Sequence, residues 1–310
     1  MDADAPTPTP PRIVSLLPAA TEIVYALGLD DHLVGVTFEC DFPPDPRTTR
    51  RVVVGGLDTH GLTPTQIDAL VRERLAASDD LYRLDEDGFR ECAPTHVLTQ
   101  DLCRVCALPA GDADAAMTRL GCAAVTVTLD PHTLDEVLDT ITTVGDALGV
   151  RDRADEVAGD ARRRLAAVEA ATAGHTMPNV FVLEWSDPPF VAGHWVPDLV
   201  LAAGANPVLA RPGDRSVPTD WSAIAECDPD LIVVAPCGFG LDAAADQARD
   251  VLDRLPARAA VWAIDADALI VRPGPRLVDG VETLAAIFQH HDGSDRIRTA
   301  LDGRARLIRP

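Results

Sequence analysis

The chain has 310 residues, enough to bury one large core or two ordinary ones. Its formal net charge is -22, from 27 basic against 49 acidic residues, although 47% of it is hydrophobic; such a surface repels nucleic acid and anionic membranes and excludes them as partners. It contains no lysine, so every basic side chain apart from histidine is arginine, a composition that suits halophilic surroundings, with a GC-rich coding bias as the competing explanation.

Residues 1–11, with their Thr-Pro repeat, read as a disordered lead-in lacking the basic start and apolar core of an export signal and any lipid-attachment cysteine. No apolar run approaches the roughly 20 residues of a membrane span. The expectation is a cytoplasmic protein without direct membrane insertion. Ile13 to Leu17 reads as a buried strand, and Pro18 opens a helix that runs to Leu27 and is closed by Gly28. Leu33 to Thr37 is a second strand, delivering Glu39, Cys40 and Asp41 into a proline-rich loop. Val52 to Val54 reads as a short strand, followed by a helix from about Pro64 to Ala77. Asp79 to Cys92 is polar, anchored by Leu81, Tyr82, Leu84 and Phe89. His96 to Thr99 is a strand leading directly into Gln100-Asp101-Leu102-Cys103-Arg104-Val105-Cys106, and a helix from Asp112 to Leu120 and a strand from Ala123 to Thr128 follow.

From Pro131 to Thr172 apolar residues recur at helical spacing: Leu134, Val137, Leu138, Ile141, Val144 and Leu148, then Val157, Ala161, Leu165 and Val168. Gly145 and Gly149 break the pattern near Leu148, and a second helix of about twenty residues, roughly 30 Å long, runs from about Arg153 to Thr172. Beyond it the alternation resumes. Val180 to Leu183 is a strand delivering Glu184 and Trp185, then Gly193-His194-Trp195; Pro197 to Ala203 is a helix, and Leu231 to Ala235 a buried parallel strand ending in Pro236-Cys237-Gly238-Phe239. Val261 to Ile264 and Leu269 to Val271 read as edge strands, Val278 to Gln289 as a closing helix, and the charged tail from Asp292 as loosely held. The expected fold is α/β: two Rossmann-like lobes with parallel sheets, residues 12–150 and 175–291, joined by one long spine helix over 151–174, with residues 292–310 as the tail.

The seven cysteines, an odd number, read as thiols or ligands rather than a disulfide framework. Cys103 and Cys106 form a C-x-x-C pair, the spacing that lets two thiolates meet one metal. A redox dithiol is the first rival, but Leu102 stands where such motifs usually carry Trp. Cys40 and Cys237 lie just past expected strand ends, so Cys40, Cys103, Cys106 and Cys237 are candidate ligands for zinc or an iron–sulfur cluster, against the reading of each as a small buried hydrophobe. Cys92, Cys122 and Cys227 read as structural.

Aromatic residues make up only 4% of the chain, yet Tyr82, Trp185, Trp195 and Phe239 fall beside expected strand ends. Such rings cover the faces of a large, partly apolar ligand, with ordinary packing as the alternative. Glu39, Asp101 and Glu184 suit ligand amides or a metal shell, and His194 is the best histidine ligand. Arg272, in Arg272-Pro273-Gly274-Pro275-Arg276, suits an anionic or amide-rich ligand or the protein's own carboxylates. The sequence has no Walker loop, G-x-S-x-G elbow, dinucleotide turn or H-E-x-x-H pair, so binding rather than catalysis is expected.

Ser15-Leu16-Leu17-Pro18-Ala19-Ala20-Thr21-Glu22, with Ala26-Leu27-Gly28 and Leu33-Val34-Gly35-Val36 behind it, resembles the opening of the vitamin B12-binding proteins of ABC importers. Asp228-Pro229-Asp230-Leu231-Ile232-Val233 and the Arg272 to Arg276 segment are similar to that family's second lobe. Within the family, the likeness is to a group labelled cobalamin-binding proteins, through Glu39-Cys40-Asp41, Tyr82-Arg83, Gln100 to Cys106, Gly193-His194-Trp195-Val196-Pro197 and Pro236-Cys237-Gly238-Phe239. The resemblance spans roughly Arg12 to Gln289. It implies two lobes on a stiff helical backbone and a corrinoid or other metal chelate as ligand, with Gln100 joining the binding residues. The leading expectation is a binding protein for a cobalamin-type corrinoid or related metal chelate. The alternatives are a cytoplasmic metalloprotein or redox enzyme with a zinc or iron–sulfur site held by the four cysteines, and the substrate-binding component of an ABC importer, with an ABC permease as its partner.

Overall fold

Runs of β-branched residues form strands where both faces can be covered. In the computed structural model, which describes residues 10–43, 45–77, 79–101, 108, 110–289 and 301–310, the chain divides into two units. The first comprises Met1–Asp58, Asp79–Asp130 and Thr143–Ala154, and the second Thr59–Ser78, Pro131–Thr142 and Asp155–Pro310.

The first unit is built on Ile13–Ser15 (β1), Leu33–Thr37 (β2), Arg51–Gly56 (β3), Tyr82–Leu84 (β4), His96–Gln100 (β5) and Val125–Leu129 (β6), ordered β4-β3-β2-β1-β5-β6. All neighbours are parallel except β4, which runs antiparallel to β3 with Tyr82 opposite Gly56. The order reverses between β1 and β5, so the carboxyl ends of the parallel strands frame the crevice where such sheets take ligands. Pro18–Ala26 (α1) starts on Pro18, and Gly28 at φ +72 stops it. Pro64–Ala76 (α2), which belongs to the second unit, carries a capping box between Thr63 and Gln66. Glu86–Cys92 (α3) is capped by Asp85, whose side chain accepts from Gly88 N, and Ala110–Leu120 (α4) lays Ala113 and Met117 on a core with Val14, Val53, Phe89 and Val97.

Leu134–Ala147 (α5) and Arg151–Thr172 (α6) are the two helices expected from the apolar spacing. Gly149, at φ +74, separates them, but Gly145 does not break α5. It lets the helices meet: a Cβ there would lie 2.3 Å from the Cβ of Ala154. The 22 residues of α6 begin in the first unit and continue in the second.

The second unit's sheet has Asn179–Ser186 (β7), Pro189–Val191 (β8), Asn206–Pro207 (β9), Val217–Pro218 (β10), Leu231–Val234 (β11), Ala260–Ile264 (β12) and Ala305–Arg309 (β13), ordered β10-β8-β7-β11-β12-β13, with β9 beside β7. β7, β11 and β12 are parallel and β13 is antiparallel to β12. Val196–Ala202 (α7), Trp221–Glu226 (α8), Leu241–Asp250 (α9), Ala266–Leu269 (α10) and Leu277–Gln289 (α11) complete it. Phe181, Leu183, Ile224, Ile232 and Val234 form its core with the alanines of α9.

Two further expectations fail. Leu269 to Val271 is no strand, because Asp265 caps α10 by accepting from Ala268 N, and α10 ends at Leu269. The tail is not loose throughout: residues 305–309 pair with β12, and Arg309 donates to the carbonyls of Ala259 and Leu252. The fold is α/β, with two Rossmann-like lobes of mainly parallel strands joined through the long helix α6.

Candidate functional site

In the first unit the candidate residues gather at the carboxyl ends of β2, β3 and β5. Cys40 N donates to Thr37 O at 3.2 Å, folding the chain back after β2. Cys40 is 1% exposed, with its Sγ 3.1 Å from Thr21 Oγ1 and 3.3 Å from Thr37 Oγ1. The Thr37 hydroxyl also accepts from Glu39 N at 3.2 Å, so one threonine sets both neighbours. Phe38, which sequence reasoning did not single out, stands 6.4 Å from Tyr82 between ring centroids. Gly56 makes this possible, since a Cβ on it would lie 2.3 Å from Phe38 Cζ. Arg47 Nη1 donates to Phe38 O at 2.9 Å, and its side-chain hydrogen bond to Asp45 holds that carboxyl below the usual carboxylate range. Gln100 is buried at the end of β5 and Asp101 exposed just beyond it. Cys103 and Cys106 lie outside the described residues.

In the second unit, β7 carries near its carboxyl end Glu184, whose Oε2 accepts from Ser216 Oγ at 2.9 Å and Gly193 N at 3.3 Å. Gly193 is packed against the 214–216 backbone: a Cβ would sit 2.3 Å from Ser216 N and 2.6 Å from Asp214 O. The next residue, His194, takes a left-handed φ of +54, a conformation in which histidine is among the tolerated side chains. Its N–H donates to Asp214 O at 2.5 Å and its carbonyl accepts from Gly213 N at 3.0 Å. The His194 ring, half-buried, lies 6.3 Å from that of His132. His132 lies just before α5, where its N–H donates to Glu136 Oε2 at 2.6 Å and so lowers that carboxylate's pKa, and its ring adjoins the site. A lone histidine before a capped helix carries no signal of what its ring meets.

Trp185 and Phe239 meet at 5.8 Å between ring centroids with planes inclined at 50°, and Trp185 Nε1 donates to Asp187 O. Trp185 lies in the last residues of β7 and Phe239 follows the carboxyl end of β11, its parallel neighbour. Cys237 N donates to Glu184 O at 3.1 Å, tying the two strand ends together. Trp195 differs from its expected role: it is 5% exposed and its indole N–H donates to Ile270 O at 2.8 Å, so it packs in the core. The side chain of Arg272 is 12% exposed and meets Asp267 at 3.6 Å. Asp267 N in turn donates to Phe239 O at 3.4 Å.

The second unit thus offers two aromatic faces, a backbone-fixed imidazole and a carboxylate that accepts two hydrogen bonds at one sheet edge. That set suits a flat ligand held by ring faces and oriented by a few polar groups. Among the described residues no group of three or more His, Cys, Asp or Glu converges as a metal site, and no helix is long and apolar enough to cross a membrane.

The chain matches the sequence model of the periplasmic binding protein family over residues 107–272. It is 28% identical over 287 residues to an uncharacterized ABC transporter substrate-binding lipoprotein of Bacillus subtilis, covering 89% of this chain and 79% of the relative. It is 27% identical over 287 residues to a vitamin B12-binding protein of Vibrio cholerae, covering 90% of this chain and 89% of the relative. A periplasmic heme-binding protein from Pseudomonas aeruginosa has a similar structure, with a TM-score of 0.66 at 25% identity over 90% of this chain and 93% of that one. These likenesses overturn the expectation of a cytoplasmic protein, which rested on the N-terminal residues alone, since the relatives are a lipoprotein of an ABC transporter and periplasmic proteins. With the family's pattern running through more than half of its length, this chain belongs to the periplasmic binding protein family.

Proposed function

We propose that the protein is the substrate-binding component of an ABC importer, working outside the cytoplasm and delivering a cobalamin-type corrinoid to its permease. The observation that carries this is the Trp185–Phe239 pair at the carboxyl ends of β7 and β11. Ring faces at a sheet edge suit a broad, flat metal chelate, whose amide rim finds polar partners around it. The relative named for vitamin B12 binding, alignable over 90% of the chain, favours a corrinoid over other chelates. The protein's contribution is recognition: the aromatic faces supply area, and the backbone-fixed His194 and the Arg272–Asp267 pair supply orientation.

The test is titration of the purified protein with cyanocobalamin and, separately, haemin, following tryptophan fluorescence and co-elution of the chromophore. Saturable quenching by cyanocobalamin that weakens roughly 10- to 30-fold in Trp185→Ala, the loss typical of a buried aromatic anchor, supports the reading. Binding of haemin with none of cyanocobalamin would replace the corrinoid by a porphyrin. If neither binds, the proposal is gone.

A further inference from the structure

The first unit's sheet carries a separate feature at its amino-end edge, opposite the edge where Cys40 and Gln100 lie. Arg12 precedes β1, Leu33 begins β2 and Arg51 begins β3, so the amino ends of three parallel strands lie together. A surface cavity of about 430 Å³ opens there, lined by Arg12, Arg50 and Arg51 with Asp31 and Glu91 and floored in part by Cys92. In a chain of net charge -22, guanidinium groups set around one hollow call for an explanation.

Each guanidinium is held by a different anchor that leaves part of it uncommitted. Arg12 Nε donates to Cys92 O at 2.8 Å and Ala93 O at 3.2 Å, at the end of α3. Its two terminal nitrogens meet no described residue in a hydrogen bond or ion pair. Arg50 donates Nη2 to Asp30 O at 2.8 Å and Nη1 to Thr49 O at 3.4 Å, while its buried Nε meets no acceptor among the described residues. Arg51 Nη2 pairs with Asp85 at 3.1 Å, and its Nη1 stands 3.9 Å from Glu91, too far for a hydrogen bond. Gly88 makes room for that pair, since a Cβ there would lie 2.7 Å from Arg51 Nε and 2.4 Å from Asp85 Oδ2. The Cys92 thiol donates to Val34 O at 3.4 Å, and burial pushes its pKa up.

We propose that this cavity binds a small oxyanion of the phosphate class. The forked donors of arginine match the oxygens of such an anion, and a buried N–H lacking an acceptor marks a place where water or an ion completes the structure. Arg12 presents its open fork, Arg51 exchanges the loose contact with Glu91 for the anion, and the negative field of the whole chain is offset locally by the arginines. The site stands apart from the corrinoid reading and does not depend on it.

The experiment is calorimetric titration of the full chain with inorganic phosphate at constant ionic strength, with chloride as the balancing ion so that general screening cancels. The expected result is saturable binding at one site, weakened about tenfold in Arg12→Gln and in Arg50→Gln and strengthened in Glu91→Gln, which removes the competing carboxylate. Circular dichroism establishes that each variant is folded, and Glu91→Gln keeps the test decisive if an arginine variant is not. Absence of saturable phosphate heat in the wild type, or equal affinities in wild type, Arg12→Gln and Glu91→Gln, overturns the proposal. Cyanocobalamin titration of Arg12→Gln is expected to match the wild type whichever way the phosphate result falls.

Discussion

Ser216 donates its hydroxyl to the carboxylate of Glu184 at 2.9 Å, and the same oxygen accepts from Gly193 N. The end of β7 is thereby bound to two loops, one of which carries His194 in its left-handed conformation. Gly193 leaves no space for a methyl group, because every close neighbour of a Cβ there is backbone and cannot swing away. Gly193→Ala is therefore expected to cost about 1–3 kcal/mol, the range for overpacking a dense site. Ser216→Ala removes two hydrogen bonds, the one the hydroxyl donates to Glu184 Oε2 and the one it accepts from Gly193 N at 3.1 Å, and is expected to cost about 1–3 kcal/mol. Urea denaturation compares the two, and a Gly193→Ala protein as stable as wild type would mean that the loops are not locked as described.

Much of this arrangement was legible in the sequence. Leu231 to Val234 is uninterrupted β-branched and aliphatic, and it became a central parallel strand buried on both faces. The apolar spacing from Leu134 onward returned both helices. The short strands Tyr82–Leu84 and Pro189–Val191 were not legible, because three residues hold no period and their pairing depends on partners supplied elsewhere. Trp195 shows the same limit for side chains: its fate is decided by a carbonyl 75 residues away, Ile270 O, which no local pattern announces. The location failed for another reason, since a few N-terminal residues were asked to decide what only the relatives address.

Gly55 and Gly56 look alike in sequence but differ in consequence. A Cβ on Gly55 meets nothing within 4 Å, while one on Gly56 lies 2.3 Å from the Phe38 ring. Gly56→Ala is expected to displace Phe38 from its contact with Tyr82 and to cost about 1–3 kcal/mol, with Gly55→Ala costing less than about 1 kcal/mol. Near-ultraviolet circular dichroism and urea midpoints read the pair. Identical behaviour of the two variants would contradict the close approach.

Arg164 on α6 is held by Asp279 at 2.5 Å and Glu282 at 2.7 Å on α11. Hydrogen bonds from Glu282, opposed by burial and joined by Asp279, keep its guanidinium pKa above the ordinary arginine value. The group is still 37% exposed, so screening limits what the network contributes. Arg164→Met is expected to cost about 1 kcal/mol at low salt, since it leaves two neighbouring carboxylates uncompensated, and less at 1 M salt, where the screening length is about 3 Å. Urea midpoints at the two ionic strengths check this, and a salt-independent cost would assign the effect to packing.

Asp198 on α7 accepts the backbone N–H of Leu134 at 3.0 Å, at the start of α5. Burial raises its pKa more than this hydrogen bond lowers it, and the neighbouring Asp135 and Glu136 push in the same direction as burial. With the folded pKa above the unfolded one, the native state holds the extra proton in the window that opens near pH 4, the ordinary aspartate range. Stability contributed by this residue is therefore present below that window and is lost as pH rises through the folded pKa. Asp198→Asn removes the buried charge yet keeps a carbonyl to accept from Leu134. Its melting temperature is expected to exceed that of wild type at pH 7, with the difference shrinking toward zero as pH falls to about 4. Comparing the variant with wild type at each pH cancels the general effect of protonating so acidic a chain. A variant less stable than wild type at pH 7 would show that the charged carboxylate's bond to α5 outweighs its desolvation.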